Sequence, residues 1–333
     1  MSKKILLTGG CGFIGHNLAL HLKKRGYDVH IFDNLGVNNL LSFADKDIIN
    51  QKLYRSILNE RIDLITQNEI NLKIGDARDY HFYSKVFSDI SPDIVIHLAA
   101  VSHASVSNKD PHNTFDHSLR TLENSLDVCR KSKTHVIYFS SSMVYGNFTT
   151  GVVDENTICN PIGIYGSLKY AGELLVKAYN QVFDLPYTII RPSALYGERC
   201  VSRRVGQIFI ESLLTKKDIL INGDGHDKLD FTYIDDLVYG IEKCCDNKNS
   251  INQTFNITYG ESRMISELIE ILRKNFSNIN IIKKSKENFM PERGTLNIDK
   301  ARDLIGYNPR YSIEKGYQKY IDWYKAFISR MNL

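Results

Sequence analysis

The chain has 333 residues, of which 43% are hydrophobic and 24% are charged, a composition typical of an ordinary globular protein rather than a disordered or fibrous one. The net charge of +4 is small for this length and does not indicate the dense basic surface of a nucleic-acid-binding protein. No stretch of the sequence approaches the roughly 20 consecutive apolar residues of a membrane span. The six cysteines show no metal-site spacing, and the N-terminus shows no signal-peptide core, so we predict a cytoplasmic protein without metal, nucleic-acid or membrane partners.

The first element of the chain is a strand followed by a glycine-rich turn and a helix. Residues 4–7 read as a strand, and apolar spacing predicts a helix over 13–24, with TGGCGFIG between them. In this context Gly9 permits a tight turn, Gly12 lets a pyrophosphate approach the backbone, and Gly15 lets the helix pack closely. The helix N-terminus offers unpaired N–H groups to the phosphates, so the pattern predicts a dinucleotide site.

The second and third strands each lead to an aspartate. Residues 28–32 form a strand that ends at Asp33, about 20 residues beyond the glycines, where a carboxylate accepts bonds from ribose hydroxyls and repels a 2′-phosphate. No arginine follows immediately, so NAD is favoured over NADP. Asp76 follows a strand at 72–74 and is placed to meet the adenine ring, although it could instead cap the next helix.

Further apolar runs of strand length follow, mostly separated by helical patterns, at 94–96, 136–139 and 188–190. Strands that are apolar throughout suit a parallel sheet covered on both faces. Their alternation with helices predicts an α/β fold, namely a Rossmann-type doubly wound parallel sheet with a smaller C-terminal α/β substrate lobe.

The order of the predicted strands and helices indicates a division of the chain into two domains. We predict an NAD-binding domain over 1–197, with an insertion at about 35–69 that is helical near 48–58. Residues 198–333 are predicted to form mainly the substrate lobe, with a segment at about 225–260 returning to the first domain. The lobe is predicted to contain helices at 208–214, 265–272 and 313–328 and a short strand at 219–221.

A tyrosine and a lysine are spaced to lie on one helical face. Tyr165 and Lys169 stand at i and i+4, and a nearby ammonium lowers the pKa of a phenol. Tyr165 is therefore a candidate base for a sugar hydroxyl, and Lys169 could also hold the nicotinamide ribose. The serines at 140–142 follow the strand at 136–139, at the end of the sheet where ligands bind, and could orient the reacting oxygen.

Together these features resemble the extended short-chain dehydrogenase/reductase family, in its branch of nucleotide-sugar epimerases and dehydratases. The resemblance covers most of the chain, from about residue 4 to residue 309. It rests on eight motifs in order: TGGCGFIG (8–15), the strand end at Asp33, GDARD (75–79), HLAA (97–100), SSSMVYG (140–146), YGSLK (165–169), RPSALYG (191–197) and GDGHDKLDFTYIDD (223–236).

The resemblance implies a role for each matching residue. It implies that Ser141, Tyr165 and Lys169 are catalytic, that NAD is the cofactor, and that the partner is a nucleotide-diphosphate sugar. It also implies a homodimer formed through helices at about Thr114–Lys131 and Tyr165–Phe183. The implied cofactor contacts are Gly9, Gly12, Phe13, Ile14, Gly15, Asp33, Asn34, Asp76, Ala77, Leu98, Ala99, Ala100, Tyr165 and Lys169. The implied substrate contacts are Ser102, His103, Ser142, Met143, Arg199 and Arg293.

Two positions bear on the reaction type. Dehydratases that this chain resembles carry an acid pair where it has Ser142 and Met143, and the related decarboxylases carry a glutamate there. A thioether cannot protonate a departing hydroxyl, so dehydration is disfavoured by chemistry and decarboxylation by analogy. The chain also departs from the family at Ala194, Leu229 and His117, where an asparagine, an arginine and an asparagine are usual.

The resemblance leaves two readings of the chemistry open. The first is a 4-epimerase that oxidises carbon 4 of a nucleotide-linked hexose to a ketone and then reduces it again. The alternative is a net carbon-4 dehydrogenase of a UDP-hexose or GDP-heptose that releases the keto sugar. A non-catalytic NAD-binding regulator is disfavoured, since Ser141, Tyr165 and Lys169 are all present. The lost diphosphate contacts could be replaced from Arg199, Arg203, Arg204 and Arg293, although Arg203 and Arg204 could equally be solvated surface residues.

Overall fold

Parallel strands form the centre of the molecule. The computed structural model describes residues 2–44, 50–101, 104–285 and 291–331. Its strands are β1 (Lys4–Thr8), β2 (Asp28–Asp33), β3 (Asn71–Ile74), β4 (Ile94–His97), β5 (His135–Phe139), β6 (Val152–Val153), β7 (Tyr187–Arg191), β8 (Leu195–Tyr196), β9 (Ile219–Asn222), β10 (Lys228–Asp230), β11 (Thr232–Tyr233), β12 (Gln253–Asn256), β13 (Ser262–Met264), β14 (Ile281–Lys284) and β15 (Thr295–Leu296). Seven of them form one sheet in the order β3-β2-β1-β4-β5-β7-β12, with every neighbouring pair parallel.

Helices connect the strands and cover the sheet. They are α1 (Phe13–Lys24), α2 (Gln51–Gln67), α3 (Tyr80–Ile90), α4 (Ala104–Lys109), α5 (Pro111–Phe115), α6 (Thr121–Arg130), α7 (Gly163–Phe183), α8 (Val205–Leu214), α9 (Ile234–Asp246), α10 (Ile265–Arg273), α11 (Asp299–Ile305) and α12 (Ile313–Met331). A π-helical turn at Asp116–Arg120 joins α5 to α6, and short 3₁₀ helices lie at Leu40–Phe43, Ser142–Tyr145 and Lys248–Ser250.

The alternation of side chains along each strand divides the core between the two faces of the sheet. In β1, Ile5 and Leu7 belong to the cluster that includes α1 and α9, whereas Leu6 belongs to the cluster that includes α3, α6 and α7. Since all three side chains are fully buried, both faces of the strand are covered. The predicted doubly wound parallel sheet is therefore confirmed.

Short pairings outside the main sheet organise the C-terminal third. β8 pairs with β11, β10 with β13, β9 with β14, and β6 with β15. β12 returns to form one edge of the main sheet, beside β7. β12 lies within the segment at about 225–260 that is predicted to return to the first domain, and the division at residue 197 stays a prediction. In the described part of the chain, no helix combines the length and apolar character needed to cross a membrane.

The insertion after β2 is a long helix rather than a loop. The prediction of a helix over 48–58 falls partly on residues 45–49, which lie outside the described residues; the observed helix α2 runs from residue 51 to residue 67. Its buried face packs Tyr54, Ile57 and Leu58 against Val201 and Phe327. The insertion is therefore anchored to segments near residue 200 and in α12.

Candidate active site

A large cavity of about 650 Å³ opens at the carboxyl ends of the central strands. Its wall includes residues that follow β1, β2, β3, β4, β5 and β7, as expected for an open parallel sheet. Most of the predicted site residues line it together: Gly9, Gly12, Phe13, Ile14, Gly15, Asp33, Asn34, Asp76, Ala77, Leu98, Ala99, Ala100, Ser141, Ser142, Met143, Tyr165, Lys169 and Arg293.

The three glycines of the turn between β1 and α1 meet three different constraints. Gly9 has φ +81°, and a Cβ there would lie 2.7 Å from the amide nitrogen of Ala99. A Cβ on Gly15 would lie 2.5 Å from the Cα of Gly10, so only glycine lets α1 pack here. At Gly12 a Cβ would meet only the carbonyl oxygen of Gly9, at 3.3 Å, which leaves open space toward the cavity. The loop therefore fits a pyrophosphate held against bare backbone.

The different surroundings of Gly12 and Gly15 predict different defects for their alanine variants, namely weaker NAD binding for Gly12→Ala and lower stability for Gly15→Ala. Gly12 has φ −68°, which any residue adopts, so Gly12→Ala is expected to change the free energy of unfolding by less than about 0.5 kcal/mol. Its new methyl group would nevertheless occupy the space of a bound pyrophosphate and strongly reduce NAD binding. Gly15→Ala is expected to lose about 1–3 kcal/mol of stability by overpacking. Denaturant unfolding and NAD titration of both variants test this; equal destabilisation by both would contradict it.

The two predicted nucleotide-binding aspartates have different surroundings. Both carboxylate oxygens of Asp33 accept backbone N–H groups, from Cys11 at 2.9 Å and Leu35 at 2.7 Å, and burial raises its pKa. The Asp76 carboxylate accepts from Arg78, whose guanidinium lowers its pKa to about 2. The cap of α3 is Asp79, which accepts from a backbone N–H of the helix, so Asp76 does not serve as that cap.

The structure brings Ser141, Tyr165 and Lys169 together. Ser141 follows β5 and accepts from the backbone N–H of Met143 at 3.2 Å. Its hydroxyl lies close enough to the phenol of Tyr165 to lower the pKa of that phenol. Lys169, one turn along α7, places its Nζ 6.0 Å from the centroid of the Tyr165 ring. Its ammonium donates to the carbonyl oxygen of Phe139 at 2.7 Å, which ties α7 to the end of β5.

The influences on the pKa of Tyr165 differ from those that the sequence predicts. Burial raises the pKa of Tyr165, and the opposing influences are the cation of Arg204, the hydroxyl of Ser141, and the cation of Arg293. The prediction that Lys169 lowers this pKa is therefore not what the structure shows. The physical reason is that Lys169 is itself buried and donates to a carbonyl, and burial lowers its own pKa to about 8.

Arg293 reaches the site from the other end of the chain. The pairing of β15 with β6 and a hydrogen bond from the Phe148 N–H to the Glu292 carbonyl at 2.9 Å hold its backbone beside the 3₁₀ helix after β5. Its guanidinium donates to the hydroxyl of Ser142 and the sulfur of Met143. An acid pair at positions 142 and 143 would support dehydration. The structure instead has the hydroxyl of Ser142 and the thioether of Met143 there, both in contact with the guanidinium of Arg293.

Of the other predicted substrate contacts, the structure places Arg199 elsewhere, and two lie outside the described residues. Arg199 is not in the cavity wall; its guanidinium instead donates to Nε2 of His16 at 3.0 Å and to Asn17 at 3.1 Å. Its backbone has φ +64°, in the left-handed region, in the loop that follows β8. Ser102 and His103 lie outside the described residues.

The cavity wall carries more positive than negative charge. Arg203 and Arg204 line it and are not simply solvated surface residues. The Nε atoms of Arg204 and Arg293 are buried without a hydrogen-bond partner among the described residues. Unsatisfied buried donors of this kind fit an anionic ligand. The basic residues of the wall are Arg61, Lys169, Arg203, Arg204, Lys228 and Arg293, and its acidic residues are Asp33, Asp76 and Asp227.

Sequence reasoning missed a buried ion pair behind the site. Glu173 lies on α7 one turn beyond Lys169, and it accepts two bonds from Arg191, at 2.9 and 2.7 Å. The hydroxyl of Ser140 also donates to this carboxylate. The i+4 spacing from Lys169 is a signal that could have identified Glu173. The pair holds α7, β7 and the start of the serine segment in one arrangement.

Comparison with known proteins places this geometry in context. Residues 5–258 match the model of the NAD dependent epimerase/dehydratase family. A Methanocaldococcus jannaschii protein provisionally named UDP-glucose 4-epimerase is 32% identical over 96% of this chain and 98% of its own length. The crystal structure of UDP-glucuronic acid 4-epimerase from Bacillus cereus, with UDP-glucuronic acid and NAD, has 28% identity and a TM-score of 0.85, covering 97% of this chain and 99% of that one. UDP-glucose 4-epimerase from Thermotoga maritima, with UDP-glucose, has 25% identity and a TM-score of 0.85, covering 98% of this chain and 99% of that one.

Proposed function

The chain belongs to the NAD dependent epimerase/dehydratase family, and on that premise we propose that it is an NAD-dependent 4-epimerase of UDP-linked sugars. The observation that carries the proposal is the meeting of Ser141, Tyr165 and Lys169 in the cavity that the glycine turn lines. The relatives named above are epimerases, which favours isomerisation over the alternative of a net dehydrogenase.

The residues at one end of the cavity fit NAD. Gly12 faces open space beside the N-terminus of α1, and Asp33 lies where a ribose would meet a carboxylate. When bound, NAD supplies the acceptor and donor of the hydrogen and electron pair exchanged at carbon 4. We assign Lys169 to the nicotinamide ribose, because its buried ammonium lies between Tyr165 and the end of β5.

Tyr165 is the proposed site of proton transfer at the carbon-4 oxygen. The hydroxyl of Ser141 lies beside its phenol, so a substrate hydroxyl placed between them would be oriented by one and deprotonated by the other. The cations of Arg204 and Arg293 favour the phenolate against the effect of burial. In the second half of the reaction, the same phenol returns its proton to the oxygen. No other acid is needed for epimerisation, since no carbon–oxygen bond breaks.

The surroundings of carbon 4 also argue against dehydration. An eliminating enzyme needs an acid for the departing hydroxyl, and here Arg293 contacts Ser142 and Met143 at that position. Its guanidinium is a donor that does not give up a proton at neutral pH. We propose that Arg293 and Arg204 instead hold anionic groups of the substrate, because the Nε atom of each is unsatisfied.

The proposal is tested by incubating the purified protein with UDP-glucose, UDP-galactose and UDP-glucuronate, each in a separate reaction. We expect ¹H NMR to show conversion of at least one of them to its carbon-4 epimer, with no net change in absorbance at the NADH band. dTDP-glucose and GDP-mannose serve as controls for the nucleotide. Accumulation of a keto sugar together with NADH would instead support the net dehydrogenase.

The buried ammonium of Lys169 predicts a pH dependence of NAD binding. Its pKa is lowered to about 8, so the amine becomes neutral as the pH rises through that value. A charged donor strengthens a hydrogen bond by about 1 kcal/mol, so we expect the NAD affinity to fall roughly fivefold from about pH 7 to about pH 9.5. Lys169→Met should bind more weakly and without this dependence. The same pH profile in both proteins would contradict the role given to Lys169.

We further propose that two copies associate through α7 and the helices that precede it, residues 111–130. Apolar side chains remain exposed on these segments, with Phe115 and Leu174 each 52% and Val182 71% exposed. Exposed apolar groups of this kind mark contact surfaces when they are grouped. Sedimentation is expected to give a dimer, and Leu174→Glu is expected to weaken it. A wild-type monomer at micromolar concentration would contradict this proposal.

A further inference from the structure

The insertion helix α2 carries a buried charge toward the cofactor end of the cavity. Its inner face is apolar except for Arg61, whose side chain is only 1% exposed. Arg61 is also part of the cavity wall, together with Gly12 and Asp33. Burying a cation without an ion-pair partner is unfavourable, so a bound anion would be expected to offset the cost of burying Arg61.

The contacts of Arg61 tie the insertion to the glycine turn. Its Nε donates to the carbonyl oxygen of Arg199 at 3.0 Å, and Nη2 donates to the same oxygen. Its Nη1 reaches the carbonyl oxygen of Cys11 at 3.4 Å. Arg199 in turn donates to His16, whose Nδ1 is 2.8 Å from the carbonyl oxygen of Gly12. A closed set of contacts thus connects α2, the loop after β8, and the turn that begins α1.

These contacts leave Arg61 without a carboxylate in direct contact, although Asp33 is near enough to influence its pKa. Over residues 2–44, 50–101, 104–285 and 291–331, no carboxylate forms an ion pair with it. The contacts described above use three of its five N–H groups, so donors remain. Burial lowers its pKa only to about 10, so the group stays charged at neutral pH. His16 is neutral, because burial and the two arginines hold its pKa well below the usual range, so it adds neither a second cation nor a counter-charge.

We infer that Arg61 binds the diphosphate of the dinucleotide cofactor, so that the insertion helix is part of the cofactor site. The diphosphate is the one dianionic group of NAD, and the open side of Gly12 and the N-terminus of α1 mark its place in the same wall. A guanidinium there adds a charge-assisted bond to the backbone N–H groups. The inference rests on the cofactor assigned under the proposed function, but not on the sugar or the reaction.

The test compares ligands with and without the diphosphate. ADP and adenosine are titrated by calorimetry into wild-type protein after nucleotide exchange, and into Arg61→Gln. Arg55→Gln is the matched control, because Arg55 lies on the same helix and is exposed. For Arg61→Gln we expect about a ten- to hundredfold loss of ADP affinity, with adenosine affinity within about threefold of wild type. Arg55→Gln is expected to bind both ligands like the wild type.

Two results with Arg61→Gln would overturn the inference: unchanged ADP affinity, or an equal loss for ADP and adenosine, which would make Arg61 only a support of the loop. If Arg61→Gln does not fold, Arg61→Lys keeps the charge and is expected to retain the preference for ADP over adenosine. A folded lysine variant that has lost this preference would also overturn the inference. Failure of the wild-type protein to bind ADP or NAD at all would instead count against the proposed function.

Discussion

Replacing Tyr165 by phenylalanine is expected to lower kcat by about 10²–10⁴-fold on the epimerised UDP-sugar. The phenol is the proposed partner of the carbon-4 oxygen, and it lies in the cavity wall beside Ser141. Removing the hydroxyl leaves the buried ring in place and takes away the group that accepts and returns the proton. Steady-state rates, followed by NMR of the epimer, measure the effect.

The matched control for this variant is Tyr179→Phe on the same helix. Tyr179 packs with a tilted ring against Phe183 toward the C-terminal end of α7 and does not line the cavity. Its kcat is expected to stay within about twofold of wild type, and both variants are expected to retain NAD. Wild-type turnover in Tyr165→Phe would remove Tyr165 from the mechanism.

Replacing Arg191 by methionine is expected to cost about 3–5 kcal/mol of the free energy of unfolding. The side chains of Arg191 and Glu173 are 3% and 0% exposed, so the substitution leaves a carboxylate buried without its partner. The same carboxylate accepts from Ser140, so we also expect the serine segment after β5 to lose its fixed position. Denaturant unfolding followed by circular dichroism measures the loss.

Arg302→Met is the matched control for Arg191→Met, because it removes an ion pair that is exposed instead of buried. The side chains of Arg302 and Asp299 are 51% and 62% exposed. Removing their ion pair is therefore expected to lower the free energy of unfolding by less than about 1 kcal/mol. A loss for Arg191→Met no larger than that for Arg302→Met would contradict the structural role given to the buried pair.

The fold and the cofactor end of the site could be predicted from sequence because their determinants are local. The alternation of Ile5, Leu6 and Leu7 between two buried faces is contained in β1 itself, and α1 has the bounds that its apolar spacing predicts. The restrictions on Gly9 and Gly15 likewise act within one strand–turn–helix unit, apart from the contact of Gly9 with Ala99. Such features are readable without knowing the rest of the chain.

The features that sequence did not predict depend on long-range packing. The place of α2 follows from its contacts with Val201 and Phe327, and Arg61 enters the cavity wall only as a result. Arg199 was expected at the substrate, but its backbone in the loop after β8 leads its side chain to His16. The i, i+4 spacing correctly placed Lys169 beside Tyr165. Spacing carries no information, however, about the carbonyl oxygen of Phe139, which accepts a hydrogen bond from the Lys169 ammonium.

The central claim is that carbon 4 is oxidised and then reduced within one cavity without net redox change. It is tested most directly with a UDP-sugar that carries deuterium at carbon 4, using the sugar converted fastest. We predict that the product is the carbon-4 epimer, with deuterium retained at that carbon by NMR and mass spectrometry and no NADH accumulating. Deuterium found in released NADH beside a keto sugar, or lost to solvent from the product, would contradict the claim.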